Sequence, residues 1–166
     1  MLVATPSARQ SGPLAESATR NGVRVTVALD RAAVVPGDRV RATLTVENVG
    51  DDPVSWVHGA CVIWQDVIIL ANGDGANHYF HSFDEPAGDG PPYVCPAIAV
   101  GTAIEPGGSV SYGGWWDALR SNGSSVREGE WLVQATIMRL TRASAPDDDD
   151  RFSVRVVVPL IVEGDP

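Results

Sequence analysis

The 166-residue chain contains no lysine; its twelve basic residues are all arginine, set against 21 Asp and Glu for a net charge of -9. With a pI of about 4.6, the chain lacks the basic face that a phosphate backbone requires. An anionic membrane surface would repel it for the same reason. Nucleic acid is therefore excluded as a partner class. Cysteine is also scarce. Cys61 and Cys95 stand alone, with no C-x-x-C pair and no His/Cys cluster at zinc spacing, so neither a metal nor any other cofactor is expected. No apolar run approaches the ~20 residues of a membrane-spanning helix, which argues against membrane insertion. Charged residues make up only 20% and apolar residues 44% of the chain. That excludes a long disordered polymer and leaves enough material for one domain with a core.

Helical periodicity of useful length is missing as well; the dominant period is two. From Val40 to Glu47, Val40, Ala42, Leu44 and Val46 alternate with Arg41, Thr43, Thr45 and Glu47, and Arg39 leads in on the polar side. This is the pattern of a half-buried strand, because successive side chains leave opposite faces of a sheet. Pro36-Gly37-Asp38 before it and Asn48 to Pro53 after it carry turn chemistry. Val23, Val25, Val27 and Leu29 mark a preceding strand, and residues 53–58 a following one. The nearly continuous apolar run 61–70 reads as a central strand covered on both faces, with the turn Asn72-Gly73 and residues 77–83 returning as its partner. Further strands are expected at 97–105, 109–116, 130–140 and 151–162. Trp131, Val133, Ala135 and Ile137 share one inward face, as do Phe152, Val154, Val156 and Val158, and Pro159 marks an edge or bulge. Residues 117–126 are a polar connection with room for a helical turn. Residues 1–21, small and polar with Pro and Gly, read as a flexible tail of the kind that follows a removed signal or anchor. The expected architecture is all-β: a two-sheet antiparallel immunoglobulin-like sandwich over 22–164, with a closed barrel as the alternative.

Two patches carry a resemblance. One runs from Val35-Pro36-Gly37-Asp38 through Thr45-Val46-Glu47-Asn48-Val49-Gly50-Asp51-Asp52-Pro53-Val54. The other is Ile104-Glu105-Pro106-Gly107-Gly108-Ser109 with Trp115 and Trp116, followed by Gly129-Glu130-Trp131-Leu132-Val133-Gln134-Ala135. Together, over roughly residues 23–140, they resemble the bacterial intracellular proteinase inhibitor (BsuPI) family. The resemblance implies an immunoglobulin-like fold and, as a function, inhibition of a protease. Trp131 stands where that pattern usually shows Tyr, and no residue is identified as inhibitory.

Individual side chains offer little catalytic chemistry. The serines have no nucleophile elbow. His78 and His81, three apart on a strand, face opposite ways and do not share a metal; His58 reads as an ordinary core or surface residue. Asp147–Asp150 supply oxygen atoms of the kind Ca²⁺ takes, but they lack the spaced loop pattern and read as a solvated acidic loop. An enzyme is not expected. Contact with another protein falls instead to two features. Residues 84–96 form a long loop stiffened by Pro86, Pro91, Pro92 and Pro96, with Tyr93 as an aromatic contact. Trp115 and Trp116 place one ring inward and one outward, where it can stack on a sugar or on a partner's side chain; the plainer reading has both rings cover the open end of the sandwich. Cys61 and Cys95, an even pair, are expected to form a disulfide, with two buried thiols as the alternative. The first outcome places the protein outside the cytoplasm, secreted or at the cell surface, and the second inside. The leading reading is a non-catalytic binding or structural module that works through its loops, with a protease inhibitor second. Self-association through a sheet edge is a further partner expectation.

Overall fold

The computed structural model of the chain describes residues 12–59, 67–71, 77–79, 81–82, 99–119, 123–144 and 151–164. Twelve strands are described within them: β1 (Leu14–Arg20), β2 (Val23–Leu29), β3 (Ala33–Val34), β4 (Val40–Asn48), β5 (Val54–Gly59), β6 (Val67–Ala71), β7 (Asn77–Tyr79), β8 (His81–Ser82), β9 (Ala99–Ile104), β10 (Ser109–Trp116), β11 (Gly129–Arg142) and β12 (Phe152–Val162). They form two sheets. The first has the order β1-β2-β4-β10-β8; the second runs β3-β12-β11-β5-β9, with β6 pairing β11 and β7. All pairings are antiparallel except that of β3 with β12. The protein is an all-β immunoglobulin-like sandwich.

The expected periodicity sorts the core. Val23, Val25, Val27 and Leu29 of β2 and Val40, Ala42, Leu44 and Val46 of β4 face Val133, Ala135 and Ile137 of β11 and Val154, Val156, Val158 and Leu160 of β12, all buried. Valine and isoleucine suit this role because their branched side chains are stiff and pack on a pleated surface. The bulk comes from Trp56, Trp116 and Trp131, each 1% exposed. On β11 the inward set runs Trp131, Val133, Ala135, Ile137 and then Leu140. The step of three coincides with a register shift between Ile137 and Leu140 and with Arg139 at φ 59°. This bulge holds Leu140 in the core while Met138 turns out to solvent. It also divides the strand between two neighbours, since β6 pairs with Trp131 to Ala135 and β5 with Leu140 to Arg142. Pro159 costs no ladder bond. Ile161 and Glu163 donate their N–H groups toward β3, to Ala32 and Val34. Alternation puts the Pro159 nitrogen on that same side, before β3 begins.

Two expectations are corrected, and two further segments add detail. Residues 14–20 are not tail: they form β1, paired along its length with β2. The two-residue turn Asn21-Gly22 has φ of 47° and 69°, the left-handed pair that an Asn-Gly hairpin takes. Leu14 and Ala18 pack against the core, and Arg20 donates to the Ser153 carbonyl of β12. The residues from 77 to 83 do not return as one partner strand, because β7 stays beside β6 while β8 joins β10 in the other sheet. His78 and His81 are therefore separated by a change of sheet rather than by strand alternation. After β10 there is no helical turn among the described residues, with 120–122 of the expected connection lying outside them; Ala118 sits at φ 58° and Leu119 bridges Ser125. Finally, β3 had no expected counterpart. Of the run 61–70, only the part in β6 is described; residues 1–11 lie outside the described residues.

Candidate functional site

The two adjacent tryptophans of β10 part company as strand alternation requires. Trp116 turns inward, buried, with its ring 5.4 Å from that of Trp131 across the sandwich at a 47° tilt. Trp131 is held in turn by its indole N–H donating to the Arg127 carbonyl at 2.8 Å. Trp116 is thus core, while Trp115 stands half-buried on the outer face of the first sheet; the two rings do not jointly cover an open end.

The surroundings of Trp115 are built by strands distant in sequence. It pairs in register with Arg41 of β4 on one side and with His81 of β8 on the other. The Arg39 guanidinium lies 4.1 Å above the Trp115 ring centroid, the range in which a cation is attracted by the ring's negative face. Arg39 is placed there by the turn Pro36-Gly37-Asp38, whose Gly37 N–H donates to the Asp117 carbonyl at 2.8 Å, just past β10. Beside it, Asp30 accepts from the Arg41 backbone N–H at 2.9 Å and lies 3.5 Å from the Arg31 guanidinium. In a chain of net charge -9, this is a local spot where two exposed arginines flank an aromatic ring. Farther along the outer face, Thr26, Thr45 and Ser111 stand in one cross-strand row, with Thr45 and Ser111 hydroxyls 3.0 Å apart, and the next row carries the Arg24–Glu47 ion pair at 3.1 Å.

A second polar group lies between the sheets. His58 of β5, 8% exposed, has Nε2 3.1 Å from the Thr102 hydroxyl of β9. Its ring is 4.5 Å from that of Trp56 and 6.4 Å from that of Tyr112. Burial raises the Tyr112 phenol above its ordinary value of 10.0, opposed by a hydrogen bond with Thr102. The group ties β5, β9 and β10 together through the Thr102 hydroxyl, which bonds both His58 and Tyr112. Among the described residues no cluster of three or more His, Cys, Asp or Glu side chains has the arrangement to hold a metal ion.

The opposite corner is closed by Asn48, fully buried. Its amide donates to the Asp52 carbonyl at 2.8 Å and to the Ile104 carbonyl at 2.9 Å, and its Oδ1 accepts from Gly50 N–H. Its backbone meets Gly107 and Gly108. Asn48 thereby fastens the β4–β5 turn to the β9–β10 turn, and both turn sequences belong to the two patches quoted above.

Of the residues singled out from the sequence, Pro91, Pro92, Tyr93, Cys61, Cys95 and Asp147–Asp150 lie outside the described residues. Trp115 and Trp116 are placed as above. Arg39 and Arg41 carried a signal only as members of a polar strand face; nothing in the sequence linked them to Trp115, because the link is the β4–β10 pairing.

No family model matches the chain, and no curated protein matches it. Solved structures do. One is the ASH/PapD-like domain of human CEP192 (PapD-like domain 7), at 9% identity and a TM-score of 0.41, covering 100% of this chain and 96% of that one. A second is Northeast Structural Genomics Consortium target SoR45, at 13% identity and a TM-score of 0.43, covering 87% and 90%. A third is the β-glucosidase from Listeria innocua in complex with gluconolactone, at 9% identity and a TM-score of 0.29; the match covers 92% of this chain but 17% of that one. Identity is low and every TM-score is below 0.5, so what this chain does has to be argued from its own residues.

Proposed function

We propose that the protein is a non-catalytic β-sandwich module that binds another protein through a composite surface made of Trp115, Arg39, Arg41 and the segment 84–96. One observation carries the reading. Strand β8 is hydrogen-bonded to β10 at Gly114 and Trp115, and the chain runs from β8 almost directly into that segment. The outward tryptophan is therefore hydrogen-bonded to the strand whose last residue, Ser82, precedes the proline-rich segment with Tyr93 by two positions in the chain. Tryptophan and arginine are the side chains most often found as binding anchors, since each offers a large contact area together with a polar handle. A partner that fits presents acidic or aromatic groups to the two guanidinium groups. The resemblance to the proteinase inhibitor family makes a subtilisin-like protease the first partner to try. An extracytoplasmic location belongs to the same reading through a Cys61–Cys95 disulfide, which intact mass with and without reductant decides.

The test is site-specific photo-crosslinking in cells, from probes at position 43, on the same outer face two residues from Arg41, at position 93 and, as a control on the other sheet, at position 155. One discrete adduct shared by 43 and 93 and missing from 155 supports the reading. No adduct from 43, or equal labelling from 155, removes it.

A further inference from the structure

We infer that the free edge of β9 pairs with the β9 edge of a second copy of this chain, joining two sandwiches through an antiparallel contact centred on Gly101. The inference rests on a difference among the sheet edges. An unpaired strand edge offers a row of N–H and C=O groups to any passing strand, and stable monomers blunt such edges with charge, brevity or a cover. Here β3 and β8 are two residues long and β7 three. Strand β1 is longer, but by its register it turns Glu16 and Arg20 toward the second sheet, where Arg20 bonds to β12. Strand β9, Ala-Val-Gly-Thr-Ala-Ile over Ala99–Ile104, has none of these devices among the described residues. It holds no charge, no proline and no bulge, and among the described residues it pairs only with β5.

Its hydrogen-bonding phase follows from its neighbour. The Ala143 N–H donates to the Pro53 carbonyl and the Thr141 hydroxyl to the Ser55 carbonyl. Pro53 and Ser55 thus direct their backbone toward β11, which leaves Val54, Trp56 and His58 to bond Ile104, Thr102 and Val100. The N–H and C=O groups of Ala99, Gly101 and Ala103 then point to the free side. These three positions are also the ones whose side chains face solvent.

The occupant is a second copy because the edge is complementary to itself. A two-fold axis through Gly101 sets Gly101 against Gly101 of the second copy and Ala99 against Ala103, each pair exchanging both backbone bonds, while Val100 meets Thr102. Only hydrogen and methyl side chains meet on the outer face, so nothing obstructs approach, and only an uncharged strip lets two chains of net charge -9 come so close. A contact of one strand is far below the about 1,200–2,000 Å² of a stable interface, so the dimer is weak and concentration-dependent. Salt strengthens it by screening the repulsion between the two acidic bodies.

Gly101 supplies the test. A Cβ built there meets no atom within 4 Å and its φ is not in the left-handed region, so substitutions leave the fold intact, which the melting curve checks. Sedimentation equilibrium of the full chain should show a monomer–dimer equilibrium that shifts toward dimer with concentration and with salt, and that Gly101→Glu abolishes by opposing two carboxylates. Mild oxidation of Gly101→Cys should give a covalent dimer, since a hydrogen-bonded pair at about 5.5 Å between Cα atoms lies within disulfide reach; Ala99→Cys, which faces Ala103, should give little. A monomer at all concentrations overturns the inference. So does a dimer indifferent to Gly101→Glu, which places the contact elsewhere, or cross-linking of Ala99→Cys as efficient as that of Gly101→Cys, which means another register or another partner strand. None of these outcomes bears on the Trp115 surface.

Discussion

Trp115 and Trp116 are adjacent residues of the same type, and the sheet assigns them to different environments. Trp116 lies between the sheets against Trp131, where water is excluded and its indole helps fill the thickness of the sandwich. Trp115 lies on the outside, half-buried, with an arginine laid across its ring. The contrast separates what holds the fold together from what the fold holds out to a partner. A large aromatic side chain on an outer sheet face contributes little to folding, so substitutions on the two faces should differ sharply in kind.

The largest effect is expected inside. Trp116→Ala leaves a cavity beside Trp131 that stiff valines cannot collapse into, and should cost about 3–5 kcal/mol, read as a fall in the denaturant midpoint. Next comes the corner. Asn48→Ala strips the buried Ile104 carbonyl of a donor and releases the hold on the 48–53 turn, for about 2–3 kcal/mol; Asn48→Asp should not rescue it, because a carboxylate cannot donate to two carbonyls. On the outer face, Trp115→Ala should cost about 1 kcal/mol or less, its cation–π contact with Arg39 included. The smallest effect is a slope rather than a step. The Tyr112 phenol is raised above 10.0 by burial, so the folded state holds its proton longer than the unfolded chain does. Its contribution is present in full below pH 10 and is lost as pH rises through the raised value. Alkaline unfolding curves should show that loss, and Tyr112→Phe should flatten it.

How far the sequence could go is clearest in particular strands. Strict alternation made β2, β4, β11 and β12 readable, because a half-buried strand writes its burial into every second residue. The same rule allowed one of the paired tryptophans to point inward, although the plainer reading had both rings cover an open end. Strand β1 was missed although Asn21-Gly22 is as strong a hairpin signal as Asn72-Gly73. The residues before it, Leu-Ala-Glu-Ser-Ala-Thr-Arg, alternate poorly because the strand keeps an edge and turns charges inward. Strand β3 is two residues long and defined only by its partner. The split between β7 and β8 depends on which sheet each strand finds, information that resides in β6 and β10 rather than locally. The candidate site shows the same limit. Trp115 was legible as a residue, but the guanidinium over its ring comes from β4, and Asn48 was legible as a turn former but not as the donor to Ile104.

The most direct measurement of the division between the two faces is photo-crosslinking from position 93 in a chain carrying Trp115→Ala, with its melting curve recorded alongside. The expected result is a melting temperature close to that of the unsubstituted protein together with loss of the crosslinked partner. A chain that melts like Trp116→Ala would show that Trp115 belongs to the core's support, and an undiminished crosslink would show that the outer face is not where the partner binds.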